Sequence, residues 1–465
     1  MNMNGWDVVS LVSVAFVNAG IQSQGGSPRN MQVSTDTLAA QAVFRTWQIA
    51  VGGSANNLIF NIPLASISGT VTEDGQTISQ FSYESLAARV QFVLTFVDGN
   101  SGQNLVVDST RPPTSVDSLI DVNGQPLSDE VHDDLIKKAL IAWFGDNLSQ
   151  FNHVFASIDL DPSTSLSMQW AFCKPTVAAY THVCGSSLAN SYLGLIYNTA
   201  GKTTPGSVAQ IDPSFIPPGC QAGFMLSPAT FLTNFLTPAA GQQFGLAPDQ
   251  LCVDTNELRI MLAAGAQVAL PKISTGNSKG SGAAEGAVSD SDTYQPYLID
   301  LQVAVDDAVI TTYSRTSTEV LNESYGTLST FNDSKSWMTL GFDKSSQSLT
   351  YTSTYPPIND HYTEQSQEFE IVQSALEAVG DVTLAVYAAL ADDAKLLVAG
   401  ALTGVAQGGE QLAPSSAESS NKENAPDVSN LVSNLTSPIQ LPGAKPFAVK
   451  QAGLYQGGFF LAGTL

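Results

Sequence analysis

The segment from Val8 to Val17 is apolar on almost every side, and it carries no charge after Asp7. A helix with this pattern has to be enclosed by other elements, because none of its faces suits water. Asn4 is placed to cap such a helix, and Asp7 lies where a carboxylate stabilises free amides and the positive end of the dipole. Strand-like segments follow it. We therefore predict an apolar helix over residues 6–21, wrapped by a curved sheet.

Alternating apolar residues predict strands in the next hundred residues. Residues 58–64 and 89–97 are the clearest, and the second places its apolar side chains on one face at a period of two, namely Val90, Phe92, Leu94 and Phe96. Gly52-Gly53 and Asp74-Gly75 provide turns between neighbouring strands. These signals predict an antiparallel meander.

Three further helices are predicted from capping and spacing. The first runs from Ser128 to Asn147, and its solvent-facing side carries the pairs Asp133/Lys137 and Asp134/Lys138, each four residues apart. The second opens at Ser227 with Pro228 at its first position. The third and longest covers residues 369–390, where apolar residues follow helical spacing and alanines form a second face.

Prolines at 213, 217 and 218 divide the chain near its middle, so we predict an N-terminal domain of residues 1–222 and a C-terminal domain of residues 223–465. Strands resume in the second domain at 297–305, 336–342, 349–355 and 447–465. The low-complexity tracts at 274–293 and 407–427 cannot bury enough apolar surface to offset the entropy cost of becoming ordered. We therefore predict that they are loops. The expected fold class is α+β.

Charge and hydropathy exclude several classes of protein. The net charge of −24 opposes binding to nucleic acid and to anionic lipid, since both require surplus Lys and Arg. No stretch of about twenty apolar residues predicts a transmembrane helix. The first cationic residue is Arg29, so a classical secretion signal is not expected, and the chain is expected to be soluble, either cytoplasmic or released by another route.

Neither a metal site nor a cofactor site is indicated. The four cysteines form no C-x-x-C pair, and the four histidines are scattered. Cys173 and Cys184 either pair across a hairpin in an oxidising compartment or remain buried free thiols. Gly276 to Gly280 matches G-x-S-x-G around Ser278, but the strand-turn-helix context of a nucleophile elbow is missing. No phosphate-binding glycine loop occurs, and we predict a protein without catalytic residues.

Three motifs carry a resemblance to a known family. They are Gly5-Trp6-Asp7-Val8-Val9, then Trp47 with Gly52-Gly53 leading to Ile62-Pro63, and Phe224 to Ser227 with the following Phe231, Asn234 and Pro238. In order and spacing the chain resembles the forty-seven-kilodalton clostridial accessory proteins of orfX-type neurotoxin clusters, across nearly its whole length. That family resembles the tubular lipid-binding (TULIP) superfamily.

The resemblance implies tandem domains, each with a long helix wrapped by a highly curved antiparallel sheet, and a non-enzymatic protein that binds lipid or another apolar molecule. An acyl chain of sixteen carbons buried at about 0.8 kcal/mol per methylene would bind without any catalytic polar group. The candidate lining residues are Val9, Val12, Phe16, Val379 and Val386. The alternative is a scaffold that contacts toxin-complex proteins and fills its interior with its own side chains. A third possibility is hydrolysis through Ser278.

Overall fold

The computed structural model describes residues 3–99, 102–160, 174–199, 201–207, 210–274, 293–323, 326–365 and 438–465, together with residues 172, 382, 383, 386 and 432. Contacts divide the chain into two units. The N-terminal unit comprises residues 2–225, 432–450 and 462–465, and the C-terminal unit comprises residues 226–431 and 451–461. The division of the sequence after residue 222 stays a prediction.

Strands dominate the N-terminal unit. They are β1 (Val8–Ser13), β2 (Asn30–Ser34), β3 (Leu38–Phe44), β4 (Gln48–Ser54), β5 (Asn57–Glu73), β6 (Gln76–Phe92), β7 (Leu94–Gly99), β8 (Gly102–Val107), β9 (Ser118–Ile120), β10 (Ala156–Ile158), β11 (Val177–Val183), β12 (Tyr192–Asn198) and β13 (Ala222–Leu226). The helices with described bounds in this unit are α1 (Val14–Gln24) and α2 (Glu130–Asn147), with short 3-10 turns at Leu148–Gln150 and Pro213–Phe215.

Three sheets build the N-terminal unit. One has the order β2-β3-β5-β6-β9 with β4 on β5, and a second places β7, β8 and β10 side by side with β23 (Ile439–Gln440). The third runs β11-β12-β1-β13 and continues into residues 462–464 and 448–450. Asp74 and Gly75 both have positive φ, which confirms the predicted tight turn between β5 and β6.

The predicted opening helix is wrong over its first half. Residues 8–13 form β1, which pairs with β12 from Val8↔Tyr197 to Ser13↔Tyr192, and the helix begins only at Val14. Five of the six β1 residues are buried, so the strand is covered on both faces. A strand buried on both faces is as continuously apolar as a buried helix, and periodicity cannot separate the two. The three β-branched valines favour the strand.

Helix α2 confirms the second helix prediction to within two residues. Asp129, rather than Ser128, accepts the capping hydrogen bond from the amide of His132. The two predicted ion pairs form, with Nζ–Oδ2 distances of 2.7 Å for Lys137–Asp133 and for Lys138–Asp134. The opposite side of the helix packs on the sheet through Ile136, Ala139, Leu140, Trp143 and Phe144.

The C-terminal unit is organised around long antiparallel strands. They are β14 (Leu251–Asp254), β15 (Arg259–Leu262), β16 (Val268–Ala269), β17 (Ile273–Ser274), β18 (Thr293–Tyr294), β19 (Pro296–Asp306), β20 (Val309–Glu323), β21 (Gly326–Asp343) and β22 (Ser348–Gln365). The sheet order is β14-β15-β19-β20-β21-β22, with β16 on β19, and β17 pairs with β18. The predicted strands at 297–305, 336–342 and 349–355 are confirmed.

One continuous helical segment opens the C-terminal unit. Helix α3 (Pro228–Phe231) passes through a π-helical turn (Leu232–Leu236) into α4 (Thr237–Phe244), and a 3-10 turn follows at Pro248–Gln250. Ser227 accepts the predicted capping bond, from the amide of Thr230 at 3.1 Å. The closing strands of the chain are β24 (Ala448–Tyr455) and β25 (Gly458–Thr464). Phe231 and Phe235 stack on Phe459 of β25.

Two predicted regions lie mostly outside the described residues. Of the long late helix, the structure describes Val382, Thr383 and Val386, which are helical and buried. Of the predicted loops, only Ser274 and Thr293 at the ends of the first are described, as paired residues of β17 and β18. The coarse α+β prediction is confirmed, and the ladders of the described strands are antiparallel.

Candidate binding surfaces of the two units

Two of the three N-terminal lining candidates lie on a strand instead of a helix, and the role of all three in lining a ligand site stays a prediction. Val9 and Val12 are buried strand residues paired with Ile196 and Leu193, rather than positions on a helix. Phe16 lies on the first turn of α1 and is half-buried. The assignment of these residues to one helix face is therefore wrong for Val9 and Val12, because alternate residues of a strand point to opposite sides.

Aromatic rings fill the core beneath the sheet of β5 and β6. The ring centroid of Trp47 lies 5.0 Å from that of Phe60, 4.9 Å from Phe151 and 6.0 Å from Phe155, and Phe60 lies 5.3 Å from Phe92. These are contact distances for tilted and edge-to-face rings. These rings therefore form one packed aromatic cluster in the core of the N-terminal unit.

Asp7 anchors the start of β1 instead of a helix. Its carboxylate is buried, accepts a hydrogen bond from the Thr199 amide at 3.0 Å and pairs with Lys202 at an Nζ–Oδ1 distance of 2.5 Å. The loop that carries these partners lines an open depression of about 690 Å³ together with Asn4 and Ser207. Sequence reasoning missed this cluster because its members lie almost two hundred residues apart.

Two histidines are buried among apolar side chains of the N-terminal unit. His182 lies on β11, and His153 packs edge-on against Phe155 at 5.0 Å. Among the described residues, neither ring nitrogen of His182 has a hydrogen-bond partner. Burial lowers the pKa of each imidazole to about 4, because the charged form loses its hydration.

The free energy of unfolding of this unit is therefore expected to decrease as the pH is lowered. A histidine with a lowered folded-state pKa is neutral in the native protein and takes up a proton on unfolding, so its contribution is complete above pH 6.5 and is lost between pH 6.5 and about 4. We expect a loss of about 2 kcal/mol per histidine between pH 7 and pH 5, measured by urea unfolding. His182→Leu should lose about 2 kcal/mol less than wild type over this interval. An equal loss of stability in the two proteins between pH 7 and pH 5 would contradict this assignment.

The remaining chemical candidates do not assemble into a site. Cys184 and Cys252 are exposed free thiols, so the expectation of a buried thiol is wrong for Cys184; Cys173 lies outside the described residues. Within the described ranges, no group of three or more His, Cys, Asp or Glu residues is placed to hold a metal ion. Ser278 and its glycines also fall outside the described residues.

Of the two C-terminal lining candidates, the structure describes Val386. Val386 is buried together with Val382, one helical turn away, against Tyr294, Val320 and Leu328. Leu270 and Ile273 pack on the same cluster and are partly buried. Val379 lies outside the described residues. The structure thus places Val386 where a helical segment meets the sheet, and its role in lining a ligand site stays a prediction.

The outward face of β21 and β22 exposes large apolar side chains. We call this surface the aromatic face; it consists of Phe331, Trp337, Tyr355, Ile358 and Tyr362. Tyr355 and Ile358 are each 59% exposed, and Tyr362 is 41% exposed. The register pairs Phe331 with Tyr362, Lys335 with Ile358 and Trp337 with Tyr355, so the side chains of each pair project from the same side of the sheet.

Ring contacts order the aromatic face. Phe331 and Tyr362 stack with centroids 4.8 Å apart and planes inclined by 8°, and Trp337 meets Tyr355 edge-to-face at 5.7 Å. Beside them Arg315 forms a two-pronged ion pair with Asp333, with N–O distances of 2.7 and 2.8 Å. Hydrogen bonds from Arg315 hold the pKa of Asp333 below its usual value. The surface is therefore already organised, which lowers the entropy cost of binding.

The opposite face of β20 and β21 has a different chemistry. Alternate residues there are buried small polar side chains, which we call the polar stripe: Thr312, Ser314, Thr316, Thr318, Thr330, Asn332 and Ser334. Among the described residues, the hydroxyls of Thr312, Thr316 and Thr318 and both polar atoms of the Asn332 amide have no hydrogen-bond partner. Each such group costs about 1–3 kcal/mol when it stays unpaired in a protein interior.

Sequence reasoning did not find either surface. Period-two alternation shows that a strand has two kinds of face, but it does not show which face is covered. The aromatic face depends on the pairing register of β21 with β22, across a β-bulge near Trp337. The Ser/Thr-rich text of β20 and β21 could have indicated the polar stripe, because threonine at every second position of a strand is a detectable pattern.

The two units together define a class of predominantly antiparallel α+β proteins with few helices, and comparisons with known proteins identify the family. The family model described as Protein OrfX2/OrfX3/P47, of the OrfX-like group, matches residues 3–463. The chain is 22% identical to Protein OrfX3 of Paraclostridium bifermentans, over 93% of this chain and 92% of the relative. It is 23% identical to Protein OrfX3 of Clostridium botulinum (strain Kyoto / Type A2), over 99% and 98% respectively.

A solved structure agrees with this assignment. The structure of P47 from Clostridium botulinum A2 superposes with a TM-score of 0.66 at 16% identity, covering 100% of this chain and 98% of that chain. The chain therefore belongs to the OrfX2/OrfX3/P47 family, and it shares the P47 fold. The described helices are all too short or too polar to cross a lipid bilayer.

Proposed function

We propose that the chain is a non-enzymatic accessory protein that binds a partner protein through the aromatic face of its C-terminal unit. The main observation that supports this proposal is that Tyr355, Ile358 and Tyr362 are exposed side by side on one surface of the sheet. Single exposed apolar residues are common, but a contiguous group of them marks an interaction site. Aromatic residues of this kind often provide most of the binding energy of protein interfaces.

The edge strand β22 favours a partner that contacts the aromatic face over one that adds a strand to the sheet through backbone hydrogen bonds. Among the described strands, β22 lies at the end of its sheet, and its exposed residues continue from Thr352 to Gln365. Pro356 and Pro357 interrupt this strand, and proline has no amide hydrogen to offer to an added strand. Natural sheets use proline in this way to prevent edge-to-edge pairing. A partner that needs side-chain contacts is therefore favoured over one that adds a strand.

The charged residues around the aromatic face indicate what kind of surface the partner presents. Lys335 lies over the Trp337 ring, with Nζ 5.3 Å from the centroid, and Arg315 is already paired with Asp333. The aromatic face thus presents apolar rings rimmed by paired or partly satisfied charges, which is the usual arrangement of a protein interface. We infer that the partner offers an apolar surface with a polar rim.

The test removes the three exposed side chains together. We expect Tyr355→Ala/Ile358→Ala/Tyr362→Ala to weaken binding to a protein encoded beside this chain by about 100-fold, since hot-spot side chains contribute about 2 kcal/mol or more. Calorimetric titration of each neighbouring gene product would measure it. The matched control is Ile78→Ala/Val122→Ala, which removes apolar side chains that are 59% and 74% exposed in the N-terminal unit.

Two outcomes decide the proposal. Unchanged affinity in the triple variant, with a partner that binds the wild-type chain, would overturn it. A wild-type dimer in light scattering that becomes a monomer in the triple variant would support the surface and identify a second copy of this chain as its occupant.

A second candidate function is binding of lipid or another apolar molecule, in a tandem TULIP-like arrangement. It is favoured by the cluster of Val382 and Val386 with Val320 and Leu328, where a helical segment meets the sheet. The candidate predicts that native mass spectrometry of the purified chain detects a co-purifying apolar molecule. A bare mass, together with no uptake of a fluorescent fatty acid, would count against it.

A further inference from the structure

The polar stripe is unusual in its sheet because its neighbours are apolar. On the adjacent strand β19, Leu298 pairs with Thr316, Leu301 with Ser314 and Val303 with Thr312, and these three residues are buried on the same face. Valine has the shape of threonine without its hydroxyl, so a core at this place could be filled without polar atoms. The hydroxyls therefore serve something other than packing.

Unpartnered groups point to a ligand. Thr316, Thr318 and Asn332 have no exposed surface, and their polar atoms lack a partner among the described residues. The hydroxyl of Thr330, by contrast, lies 3.4 Å from that of Thr383. Buried hydroxyl and amide groups in native proteins are nearly always hydrogen-bonded. A bound molecule with its own donors and acceptors would satisfy them.

The composition of the polar stripe defines the class of that molecule. Hydroxyls and the Asn332 amide both donate and accept, and none of the seven side chains is charged. The charged residues of β21 at this level, Asp333 and Lys335, are on the other face, where Asp333 pairs with Arg315. Within the polar stripe itself, an anion or a cation would meet no charged side chain, and burying it there would be unfavourable.

Polar side chains continue from the stripe across β22 to solvent. Asn359, His361 and Thr363 pair with Ser334, Asn332 and Thr330, so their side chains project from the same face of the sheet. All three are exposed. The exposed end of the polar stripe therefore lies at β22.

We propose that the polar stripe binds an uncharged hydroxyl-bearing group, either a free sugar or the sugar head group of a neutral glycolipid. This inference is independent of the partner-binding function, since the stripe and the aromatic face lie on opposite sides of the same strands. The structure supports it through cross-strand pairs of hydrogen-bonding side chains, Ser314/Ser334, Thr316/Asn332 and Thr318/Thr330.

Isosteric variants provide the test. Methyl β-glucoside and octyl β-glucoside below its micelle concentration would be titrated separately into the full chain, and octyl sulfate would serve as the charged probe. We expect ligand-observed NMR to detect at least one glucoside and to show at least tenfold weaker binding to Thr316→Val/Thr318→Val. Binding of both glucosides indicates sugar recognition alone, whereas binding of octyl β-glucoside alone indicates a glycolipid.

Stability separates a ligand site from a structural role. Removing unpaired buried hydroxyls should leave the melting temperature of Thr316→Val/Thr318→Val unchanged or raised, so loss of binding would not reflect unfolding. Thr311→Val, on the opposite face of β20, is the matched control and should bind as wild type. The proposal is overturned if neither glucoside binds, if octyl sulfate binds equally well, or if the double variant binds normally.

Discussion

Replacing Trp47 by alanine is expected to lower the free energy of unfolding of the N-terminal unit by about 3–5 kcal/mol, the cost of deleting a large buried aromatic side chain. Trp47 has no exposed surface, and its ring contacts Phe60, Phe151 and Phe155. Its indole Nε1 also donates to the Gly26 carbonyl at 3.2 Å. The substitution therefore removes apolar contacts and leaves a polar acceptor without its donor.

Urea unfolding followed by circular dichroism would measure this effect, and Val122→Ala is the control because Val122 is 74% exposed. The control should change stability by less than about 0.5 kcal/mol. A loss below 1 kcal/mol for Trp47→Ala would show that the aromatic cluster is loosely packed and has room for an apolar ligand.

Asp7→Ala is expected to destabilise the N-terminal unit by about 3 kcal/mol. The substitution leaves the Thr199 amide without its acceptor and removes the partner of Lys202, and hydrogen bonds to charged groups contribute about 1.5–3 kcal/mol each. Asp7→Asn, which keeps an acceptor oxygen, should cost about half as much.

This comparison also tests the assignment of residues 8–13 to a strand. An exposed acidic residue in the first turn of a helix would contribute only about 0.3–1 kcal/mol through the dipole. Unfolding measurements that give less than 1 kcal/mol for Asp7→Ala would favour the helix that the sequence alone predicts over β1.

Local signals explain which elements the sequence predicted correctly. The Asp74-Gly75 turn, the Ser227-Pro228 helix start and the i,i+4 pairs of α2 each depend on residues within a few positions of one another. Gly52-Gly53 was predicted as a turn and instead lies at a β-bulge within β4, while the chain reverses at Ala55 and Asn56. Glycine favours both structures, so its presence alone could not distinguish them.

The candidate surfaces depend on long-range pairing, which the sequence does not encode locally. The sequence alone predicts a helix at Val9 and Val12, because the strand partners of these residues lie more than 180 residues away. The aromatic face likewise requires the register of β21 and β22. Val386 is helical, as the spacing of the late segment predicts, because that spacing is a local signal, whereas its role in lining a ligand site stays a prediction.

Photo-crosslinking at Ile358 is the most direct test of the central claim that the aromatic face binds a partner protein. A photoreactive phenylalanine analogue at this position should form a covalent adduct with one of the proteins encoded beside this chain. The same group at Val122 should form none. Adducts at both positions, or at Val122 alone, would contradict the assignment of the aromatic face as the binding surface.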